Sequence, residues 1–400
     1  MRILHTADWH MNTSLGRQDL SPYIVAALET IADYLEKHRV EVMVVAGDLF
    51  SERSRDEGMR EAIAQIHRIF GPFVARGGTI LAVAGNHDSE LRFETLRDAL
   101  RLGAGDDFGR FVLSANPQTL VLRDQRGDAF GFALLPYPTP RAYLGGVEFS
   151  SLEEKNRLVQ AAFAAKLDEI AAQLPPQLPA ILVSHVHIRG AESHSLYQVS
   201  ESDDVVFEPS QITHRWCYAA YGHIHKPGAV GAPHVRYSGS VAPLDAAERF
   251  DHKSVVLLDV SPQGQIETQI LPLPRVPMHQ ITLDCAQNEP QVELQRWRDE
   301  IPDCSLALVH TTLRYTPKTH SISALRREIE AAFPRWYGRV EEKIGVELAP
   351  RPLELPGEAA VNPLSSDVPT LVRNYLQQRL EPNADRDAIL AIAEELLSRS

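Results

Sequence analysis

The sequence is poor in cysteine. Its three cysteines, Cys217, Cys285 and Cys304, are scattered over a chain of 400 residues. So few thiols at such spacings exclude a disulfide framework and a metal site made of thiolates. They are typical of a protein in a reducing compartment, so we expect a cytoplasmic location.

Long apolar runs and an excess of positive charge are also missing. No apolar stretch reaches the roughly 20 residues that span a membrane, and no secretory signal precedes Asp8, so we expect no membrane contact. The 53 acidic and 40 basic residues give a formal net charge of −13. The surface as a whole is therefore excluded as a general binder of polyanions, and any contact with nucleic acid must be local or shared with a partner.

Length and proline content divide the chain. A hydrophobic fraction of 44% excludes disorder throughout, and 400 residues exceed the usual single domain. Proline-rich stretches mark the boundaries. We predict an α/β domain over residues 1–275, a small α+β capping domain over 276–348, a proline-rich linker over 349–366 and two amphipathic helices over 367–400. These helices can fold back on the first domain or bind a partner, and the linker before them favours a partner.

Five short polar motifs follow five apolar stretches of the first domain. The stretches are typical of buried strands and cover residues 2–6, 40–46, 79–84, 180–183 and 217–221. The motifs are Asp8-Trp9-His10, Gly47-Asp48, Gly85-Asn86-His87-Asp88, Ser184-His185 and Gly222-His223-Ile224-His225. Helical periodicity between the stretches predicts a largely parallel sheet, and strands at 234–237, 253–260 and 265–271 are expected to complete a second sheet. Because ligands collect at the carboxyl ends of such strands, we expect the motifs to converge.

The motifs supply the ligands of a two-metal site. Two carboxylates, one amide oxygen and four imidazoles suit a pair of divalent cations, which acidify a water molecule and neutralise a phosphate under attack. The expected ligands are Asp8, His10 and His225 for one ion, Asn86, His185 and His223 for the other, and Asp48 as a bridge between them. The pattern therefore predicts hydrolysis of a phosphoester.

Two further residues of the third motif have different predicted roles. His87 is expected to donate a proton to the leaving oxygen or to hold the scissile phosphate. Asp88 is expected to orient His87 or a neighbouring ligand. Each motif taken alone also fits an ordinary strand-end turn, but the ordered set favours the metal site. His187 lies two residues after His185 and fits a satisfied or exposed histidine better than a further ligand.

The order of the motifs resembles the calcineurin-like metallophosphoesterase superfamily, and within it the bacterial SbcD branch, a counterpart of the Mre nucleases. The resemblance runs from Met1 to about Val260. It is carried by Met1-Arg-Ile-Leu-His-Thr-Ala-Asp-Trp-His10, Val45-Ala-Gly-Asp-Leu-Phe50, Ala84-Gly-Asn-His-Asp-Ser89, Tyr221-Gly-His-Ile-His225 and Val235-Arg-Tyr-Ser-Gly-Ser240. It implies a four-layer sandwich of two β-sheets flanked by helices, the same seven ligands, and a catalytic rather than a ligand role for His87.

The resemblance also implies an activity and partners. Proteins of this branch are homodimeric, manganese-dependent DNA nucleases that form a heterotetramer with the SbcC ATPase, whose coiled coil binds their C-terminal helices. This implies a 3'-to-5' exonuclease on double-stranded ends, and an endonuclease on hairpins or blocked ends when SbcC is present, acting in DNA repair and recombination at the nucleoid. Manganese is the expected metal, although iron and zinc accept the same ligands.

The sequence departs from the family pattern at two positions. Ser51 stands where the family usually has an aspartate, and Ser184 stands where it usually has a glycine before the histidine. Neither is an expected ligand, so we expect hydrolysis to survive. Loss of a carboxylate that supports the ligands is expected to affect rate or metal preference, because such partners are worth about 10- to 100-fold.

Several alternatives stay open. The chain could act on a small nucleotide or a phosphoprotein instead of DNA, or it could be a scaffold without turnover; the capping domain argues against the first and the intact ligands against the second. Arg141 is a candidate contact to DNA phosphate, or simply a solvated arginine. The apolar residues of the helix at 90–102 could form a dimer interface or pack in the core; they are Leu91, Phe93, Leu96 and Leu100.

Overall fold

The computed structural model describes residues 1–51, 56–101, 110–145, 149–192, 205–211, 215–317 and 319–344. The predicted linker at 349–366 and the predicted helices at 367–400 lie outside the described residues. None of the helices in the described ranges combines the length and the apolar character that crossing a membrane requires.

The first part of the chain alternates strands and helices. Its elements are β1 (Arg2–Thr6), β2 (Ser14–Leu15), β3 (Gln18–Asp19), α1 (Ser21–Lys37), β4 (Val42–Ala46), α2 (Asp56–Ala75), β5 (Thr79–Val83) and α3 (Glu90–Arg101). Strand β4 is apolar and buried throughout, which is typical of an inner strand covered on both faces. Helix α1 has Pro22 in its first turn, where the missing N–H of proline leaves no hydrogen bond unmade.

The second part continues this alternation and ends in a run of strands. Its elements are β6 (Phe111–Ser114), β7 (Gln118–Arg123), β8 (Ala129–Leu135), α4 (Pro140–Leu144), α5 (Leu152–Gln173), β9 (Ala180–His185), β10 (His187–Ile188), β11 (Val206–Phe207), β12 (Tyr218–Gly222), β13 (Gly228–Val230), β14 (Ala232–Tyr237), β15 (Ser254–Val260) and β16 (Ile266–Pro272). Short 3₁₀ turns lie at Pro209–Gln211 and Ala246–Phe250. Strands β6 to β8 are not predicted by the sequence patterns.

Two six-stranded sheets pack face to face. The first has the order β16-β15-β1-β4-β5-β6 and the second β13-β14-β12-β9-β8-β7. Apolar side chains such as Val44 and Leu81 from the first sheet and Phe132 and Val183 from the second form the core between them. Helices α1 and α2 cover the outer face of the first sheet, and α5 covers that of the second. The expected four-layer sandwich is confirmed.

The placement of β15 and β16 corrects one expectation. Strand β14 joins the second sheet beside β12, as predicted. Strand β15 instead pairs antiparallel with β1 in the first sheet, with Leu257 opposite Leu4, and β16 pairs with β15 at the edge. A period-2 or apolar pattern indicates a strand but not its partner. Strand β15 is buried along most of its length and β16 is largely exposed, which suits an inner and an edge position respectively.

A third, three-stranded sheet follows. It consists of β17 (Met278–Asp284), β18 (Leu308–Tyr315) and β19 (Trp336–Lys343), which run parallel, and carries α6 (Pro290–Glu300) and α7 (Ile322–Ala332). The patterns of the sequence predict helices at about 290–300 and 322–332, and the two observed helices have these bounds. Leu283, Leu313 and Phe333 belong to its separate apolar core. Tyr23 on α1 donates a hydrogen bond to the Leu306 carbonyl at 2.6 Å, which ties this α+β unit to the sandwich.

Candidate metal centre

The five motifs meet where five strands end. Strands β1, β4 and β5 of the first sheet and β9 and β12 of the second are each followed or ended by one motif. Because the two sheets are stacked, the carboxyl ends of these strands bring both sets of motifs to one edge of the sandwich. The seven predicted ligands and His87 are thereby gathered into one cluster.

Four of the predicted ligands form what we call the buried side of the centre: Asp8, His10, Asp48 and His185. They are 0 to 5% exposed. Asp48 Oδ2 lies 3.4 Å from His10 Nε2 and 3.3 Å from His185 Nε2. One carboxylate oxygen therefore lies between two histidines that the sequence assigns to different ions, which is where a bridging ligand is needed.

Three residues form what we call the open rim: Asn86, His87 and His223. Asn86 is exposed, and the other two are half-buried. Asn86 Oδ1 lies 2.9 Å from His185 Nε2 and 3.0 Å from His223 Nδ1, so these three side chains converge as the ligands of one ion should. The His87 backbone N–H donates to Asp48 Oδ1 at 2.9 Å.

Ligand atoms cluster in three overlapping groups within the described residues, each with its atoms within 4.8 Å of one another. The groups are Asp8, His10 and His225; Asp8, Asp48 and His185; and His10, Asp48 and His87. The first group is the set predicted for one ion. The second group places Asp48 beside His185, which is a ligand predicted for the other ion. The third shows that distance alone would admit His87 as a ligand, so its role as a proton donor stays a prediction.

The residues fit a pair of divalent cations. His10 Nε2 is buried and has no hydrogen-bond partner among the described residues, an arrangement that costs about 1–3 kcal/mol if nothing satisfies it. Burial lowers the pKa of His10 to about 3, so the ring is neutral at pH 7 and offers a lone pair. A cation facing Asp8 and Asp48 would satisfy this nitrogen.

The backbone at the centre is locally strained. Asp8, His10, Asp48 and His223 have φ values of 51°, 45°, 53° and 92°. Such left-handed conformations are uncommon outside glycine and cost roughly 1–3 kcal/mol each. Four of the seven predicted ligands share this feature, which is typical of functional sites.

The motif glycines are required by close packing against ligands. A Cβ on Gly47 would lie 2.2 Å from His185 Nδ1, and one on Gly85 would lie 2.1 Å from Asp48 Oδ1. Gly222 would meet the Ala46 carbonyl oxygen at 2.0 Å. The glycines therefore allow the five loops to approach one another closely enough to bring the ligands together.

Charges in the centre perturb one another strongly. Burial alone would raise the pKa of Asp48, but His185 and His10 hold it well below its usual range. Burial alone would lower the pKa of His185, but Asp48 raises it to about 9. His185 Nδ1 lies 2.7 Å from the Ala46 carbonyl, and donation to that carbonyl leaves Nε2 as the nitrogen that would bind an ion on releasing its proton. Burial raises the pKa of Asp8.

Asp88 fastens two loops of the centre together. Its carboxylate accepts hydrogen bonds from the backbone N–H groups of Leu49, Phe50 and Gly85 at 3.0 to 3.1 Å. These bonds connect the loop that carries Asp48 to the loop that carries Asn86. Of the two roles expected for Asp88, the geometry corresponds to orienting a neighbouring ligand. Burial, followed by the nearby Asp48, raises the pKa of Asp88 to about 7.

The two departures from the family pattern both lie beside the centre. Ser51 is buried, and its backbone N–H donates to the Met11 carbonyl at 3.0 Å. The Ser184 hydroxyl is buried without a hydrogen-bond partner in the described part of the chain. That neither serine is a ligand stays a prediction.

Glu248 and Tyr137 are two residues near the centre that the sequence patterns do not single out. Glu248 Oε1 lies 2.9 Å from His225 Nδ1. It follows no strand and falls in a charged stretch typical of an exposed loop, so the sequence carries no signal for it. The Tyr137 ring lies 5.9 Å from that of His223 and 6.1 Å from that of His185. Its place after β8 was hidden because β8 itself was not predicted.

Other candidate residues have definite positions. Arg141 is exposed and forms ion pairs with Glu90 and Glu94 at 3.4 and 3.2 Å; its contact with DNA phosphate stays a prediction. The His187 ring lies 6.0 Å from that of His223 but belongs to none of the ligand groups among the described residues. The apolar residues of α3 divide: Phe93 is buried, Leu96 is partly buried, and Leu91 and Leu100 are exposed.

Comparison with known proteins identifies the family. Residues 1–227 match the family model described as calcineurin-like phosphoesterase. A Rhodobacter capsulatus protein named as the SbcD subunit of the nuclease SbcCD is 29% identical over 83% of this chain and 85% of its own length. The protein of the same name from Escherichia coli K12 is 27% identical over 83% of this chain and 82% of its own.

A solved structure of a dimetal phosphatase from Danio rerio is 12% identical to this chain. The match covers 68% of this chain and 99% of the phosphatase, with a TM-score of 0.40.

The resemblance to the SbcD branch is confirmed by the two curated relatives. Because the family model matches 227 of the 400 residues, this chain belongs to the calcineurin-like phosphoesterase family.

Proposed function

We propose that this protein is a metal-dependent DNA nuclease that hydrolyses phosphodiester bonds. The observation that carries the proposal is the position of Asp48 Oδ2, 3.4 Å from His10 and 3.3 Å from His185, at the junction of two ligand sets. The similarity to two proteins named as nucleases, over 83% of the chain, supports DNA as the substrate.

The ligands divide between two ions in this proposal. Divalent cations bound there would supply positive charge to the phosphate and acidify a water molecule. The residues expected to hold them are Asp8, His10 and His225 for one, Asn86, His185 and His223 for the other, and Asp48 for both. The buried side fixes this geometry from within the sandwich, and the open rim leaves one side for the phosphate.

His87 is the proposed proton donor. Its backbone N–H is anchored to Asp48 Oδ1, and its ring lies 5.0 Å from that of His10, edge to face. It is half-buried, so it can reach a phosphate that approaches from the solvent side. Donation of a proton to the leaving oxygen is the usual work of an imidazole in this position, worth about 10²- to 10⁴-fold.

The finer activity follows the SbcD relatives. We propose manganese as the metal, 3'-to-5' exonuclease action on double-stranded ends, and endonuclease action on hairpins or blocked ends with an SbcC-type ATPase in repair and recombination. The name of the relatives, which makes them part of SbcCD, supports such a partner. The exposed Leu91 and Leu100 on α3 support a homodimer, which with the ATPase would make a heterotetramer.

The domains have proposed roles to match. Residues 1–275 carry the hydrolytic centre, 276–348 form a cap that contacts DNA together with Arg141, and 349–366 link them to helices at 367–400 that bind the coiled coil of the ATPase. A cytoplasmic, nucleoid-associated location is part of the same proposal.

The test is degradation of end-labelled duplex DNA by the purified full-length protein. We expect nucleotide release with Mn²⁺, none with a chelator, and loss of most activity in His87→Ala. Labels at the 3' or the 5' end distinguish the polarity. The same preparations are assayed on a small phosphodiester and together with an SbcC-type ATPase.

Three results would argue against this function. Hydrolysis of the small diester without degradation of DNA, alone or with the ATPase, would favour a small-substrate phosphodiesterase. Full occupancy by metal without hydrolysis of either substrate would favour a scaffold. Degradation of DNA that persists in His87→Ala would keep the nuclease but reject His87 as the proton donor.

A further inference from the structure

A buried carboxylate lies behind one of the proposed ligands. The 3₁₀ turn Ala246–Phe250 carries Glu248, which is 1% exposed. Glu248 Oε1 lies 2.9 Å from His225 Nδ1. The ring of His225 lies 5.1 Å from that of His10, and its ligand nitrogen groups with Asp8 and His10. Glu248 therefore contacts the metal centre through His225.

The second oxygen of this carboxylate is held by other donors. Glu248 Oε2 lies 2.6 Å from Lys253 Nζ, 3.3 Å from the Leu244 backbone nitrogen and 3.2 Å from Ser240 Oγ. The Lys253 ammonium and the Leu244 N–H donate to Oε2 and fix the plane of the carboxylate, whereas the single proton of Ser240 has a nearer acceptor in the Ala242 carbonyl at 2.9 Å. Oε1 is then directed at His225.

Lys253 binds the same histidine through the backbone carbonyl of His225. Its side chain is 3% exposed, and its ammonium donates to the His225 carbonyl at 2.9 Å, to Glu248 Oε2 at 2.6 Å and to Asp251 Oδ2 at 3.3 Å. All three N–H donors of the ammonium therefore have acceptors. His225 is held at its ring by Glu248 and at its main chain by Lys253.

Stability alone does not account for this arrangement. Burying a carboxylate and an ammonium costs several kcal/mol per ion, and their attraction often only offsets that cost. A well-packed apolar pair at these positions would serve the fold as well. Only an acceptor at position 248, however, can take the Nδ1 proton of His225.

We propose that Glu248 and Lys253 are positioning residues for metal binding, which fix the tautomer and the orientation of His225. This inference rests on the proposed function. With the Nδ1 proton donated to Glu248, the lone pair of His225 lies on Nε2, which is then the nitrogen left to bind an ion together with Asp8 and His10. A carboxylate acceptor also makes the imidazole a stronger metal ligand. We expect this effect to be larger at His225, whose acceptor is a carboxylate, than at His185, whose acceptor is the Ala46 backbone carbonyl.

The variant Glu248→Gln tests this inference. The glutamine oxygen can still accept the Nδ1 proton, but the negative charge is lost. We expect the affinity for one of two Mn²⁺ ions to fall about 10- to 100-fold, while the other ion binds as in the wild type. Isothermal titration with Mn²⁺ and metal analysis after dialysis measure this without any assay of activity. The visible absorption of bound Co²⁺ should change as well.

A second variant removes the risk that an unpaired buried charge disturbs the fold. Glu248→Leu combined with Lys253→Met eliminates both charges of the pair and the acceptor for the Nδ1 proton of His225, and a loss of affinity at one ion at least as large as in Glu248→Gln is expected. Glu293→Gln is the matched control: Glu293 is also a buried carboxylate that pairs with an arginine, Arg296, but it lies in the α+β unit. It should bind both ions with the wild-type affinity.

The outcomes separate this inference from the proposed function. Wild-type protein that binds no Mn²⁺ would overturn the proposed function itself. Wild-type protein that binds two ions, beside a folded double variant with unchanged affinities and Co²⁺ spectrum, would overturn the positioning role alone. Equal weakening in Glu293→Gln would likewise overturn it, because the effect would then report general destabilisation.

Discussion

The buried side and the open rim of the centre differ in how their residues are held. Asp8, His10, Asp48 and His185 are enclosed by the sandwich, and three of them have left-handed backbone conformations. On the rim, Asn86 is exposed and His87 and His223 are half-buried. In the proposed function, the core thus fixes four of the seven ligands, and the surface carries two further ligands and the proposed proton donor, which would face the substrate.

This difference predicts a division of labour. A change on the buried side should remove ions, because no other group can replace a ligand inside a packed core. A change on the rim that spares a ligand should leave the ions bound and slow the reaction. Measuring bound metal and turnover on the same preparations distinguishes the two.

The largest effect is expected for Asp48→Ala. Its Oδ2 lies between His10 and His185. Loss of this carboxylate should therefore lower the affinity for both ions by more than the roughly 100-fold expected when a residue that only supports a ligand is removed. Hydrolysis should become undetectable. Metal analysis after gel filtration in Mn²⁺ measures the loss, and His187→Ala is the control because His187 belongs to none of the ligand groups among the described residues. Retention of both ions in Asp48→Ala would contradict the bridge.

His87→Ala should give the opposite pattern. We expect both ions to remain bound while kcat on duplex DNA falls about 10²- to 10⁴-fold, because the variant removes a proton donor but none of the proposed ligands. Metal analysis beside steady-state kinetics provides the check. If the variant instead lost an ion, His87 would be a ligand, as its distance from His10 and Asp48 also permits, and the boundary between the buried side and the rim would have to be redrawn.

A buried histidine of strand β1, His5, should make the fold less stable in acid. His5 is fully buried between the two sheets, with Nδ1 3.0 Å from the Tyr218 hydroxyl and Nε2 3.2 Å from the Tyr221 carbonyl. Burial lowers its pKa from 6.5 to about 3. Between these values the unfolded chain binds a proton that the folded chain does not, so stability is complete above about pH 6.5 and decreases as the pH falls towards 3.

The expected size of the His5 effect is about 4 to 5 kcal/mol over the whole range. Urea unfolding between pH 7.5 and 5 measures the part of it that is accessible. His5→Gln cannot be protonated and should show a shallower dependence on pH than the wild type. Parallel curves for the two proteins would mean that other groups cause the sensitivity to acid.

Much of this centre could be predicted because its signals are local. Each ligand follows an apolar strand directly, and the rule that parallel strands collect ligands at their carboxyl ends brings distant motifs together. The prediction of a largely parallel sheet with helices outside it rests on the same local periodicity, whereas the four-layer sandwich was implied by the resemblance to the family. Helices α6 and α7 have the predicted bounds because proline or serine precedes a clear apolar period.

What was missed depends on contacts between distant segments. The pairing of β15 with β1 joins residues that lie more than 250 positions apart, and no pattern within either strand encodes it. Glu248 reaches His225 only after the chain has turned back on itself. A buried Glu–Lys pair has the same composition as an exposed one, so its role becomes visible only when its burial is known.

The smallest effect is expected from a methyl group placed against the buried side. In Gly85→Ala, the new Cβ would lie 2.1 Å from Asp48 Oδ1 and 2.4 Å from the Asp48 backbone nitrogen. A clash with backbone cannot be relieved by rotating a side chain, and overpacking of this kind costs about 1–3 kcal/mol. We expect Asp48 to shift and the affinity for Mn²⁺ to fall about tenfold, as titration calorimetry would show.

Gly228→Ala is the control for the same chemical change. Apart from its two chain neighbours, no heavy atom of the described residues lies within 4 Å of a Cβ built on Gly228, so this variant should bind Mn²⁺ as the wild type does. If Gly85→Ala also bound both ions normally and hydrolysed DNA at the wild-type rate, the position of Asp48 would be adjustable. The buried side would then be no more rigid than the rim, because a bridging ligand that tolerates a displaced backbone is not fixed by the core around it.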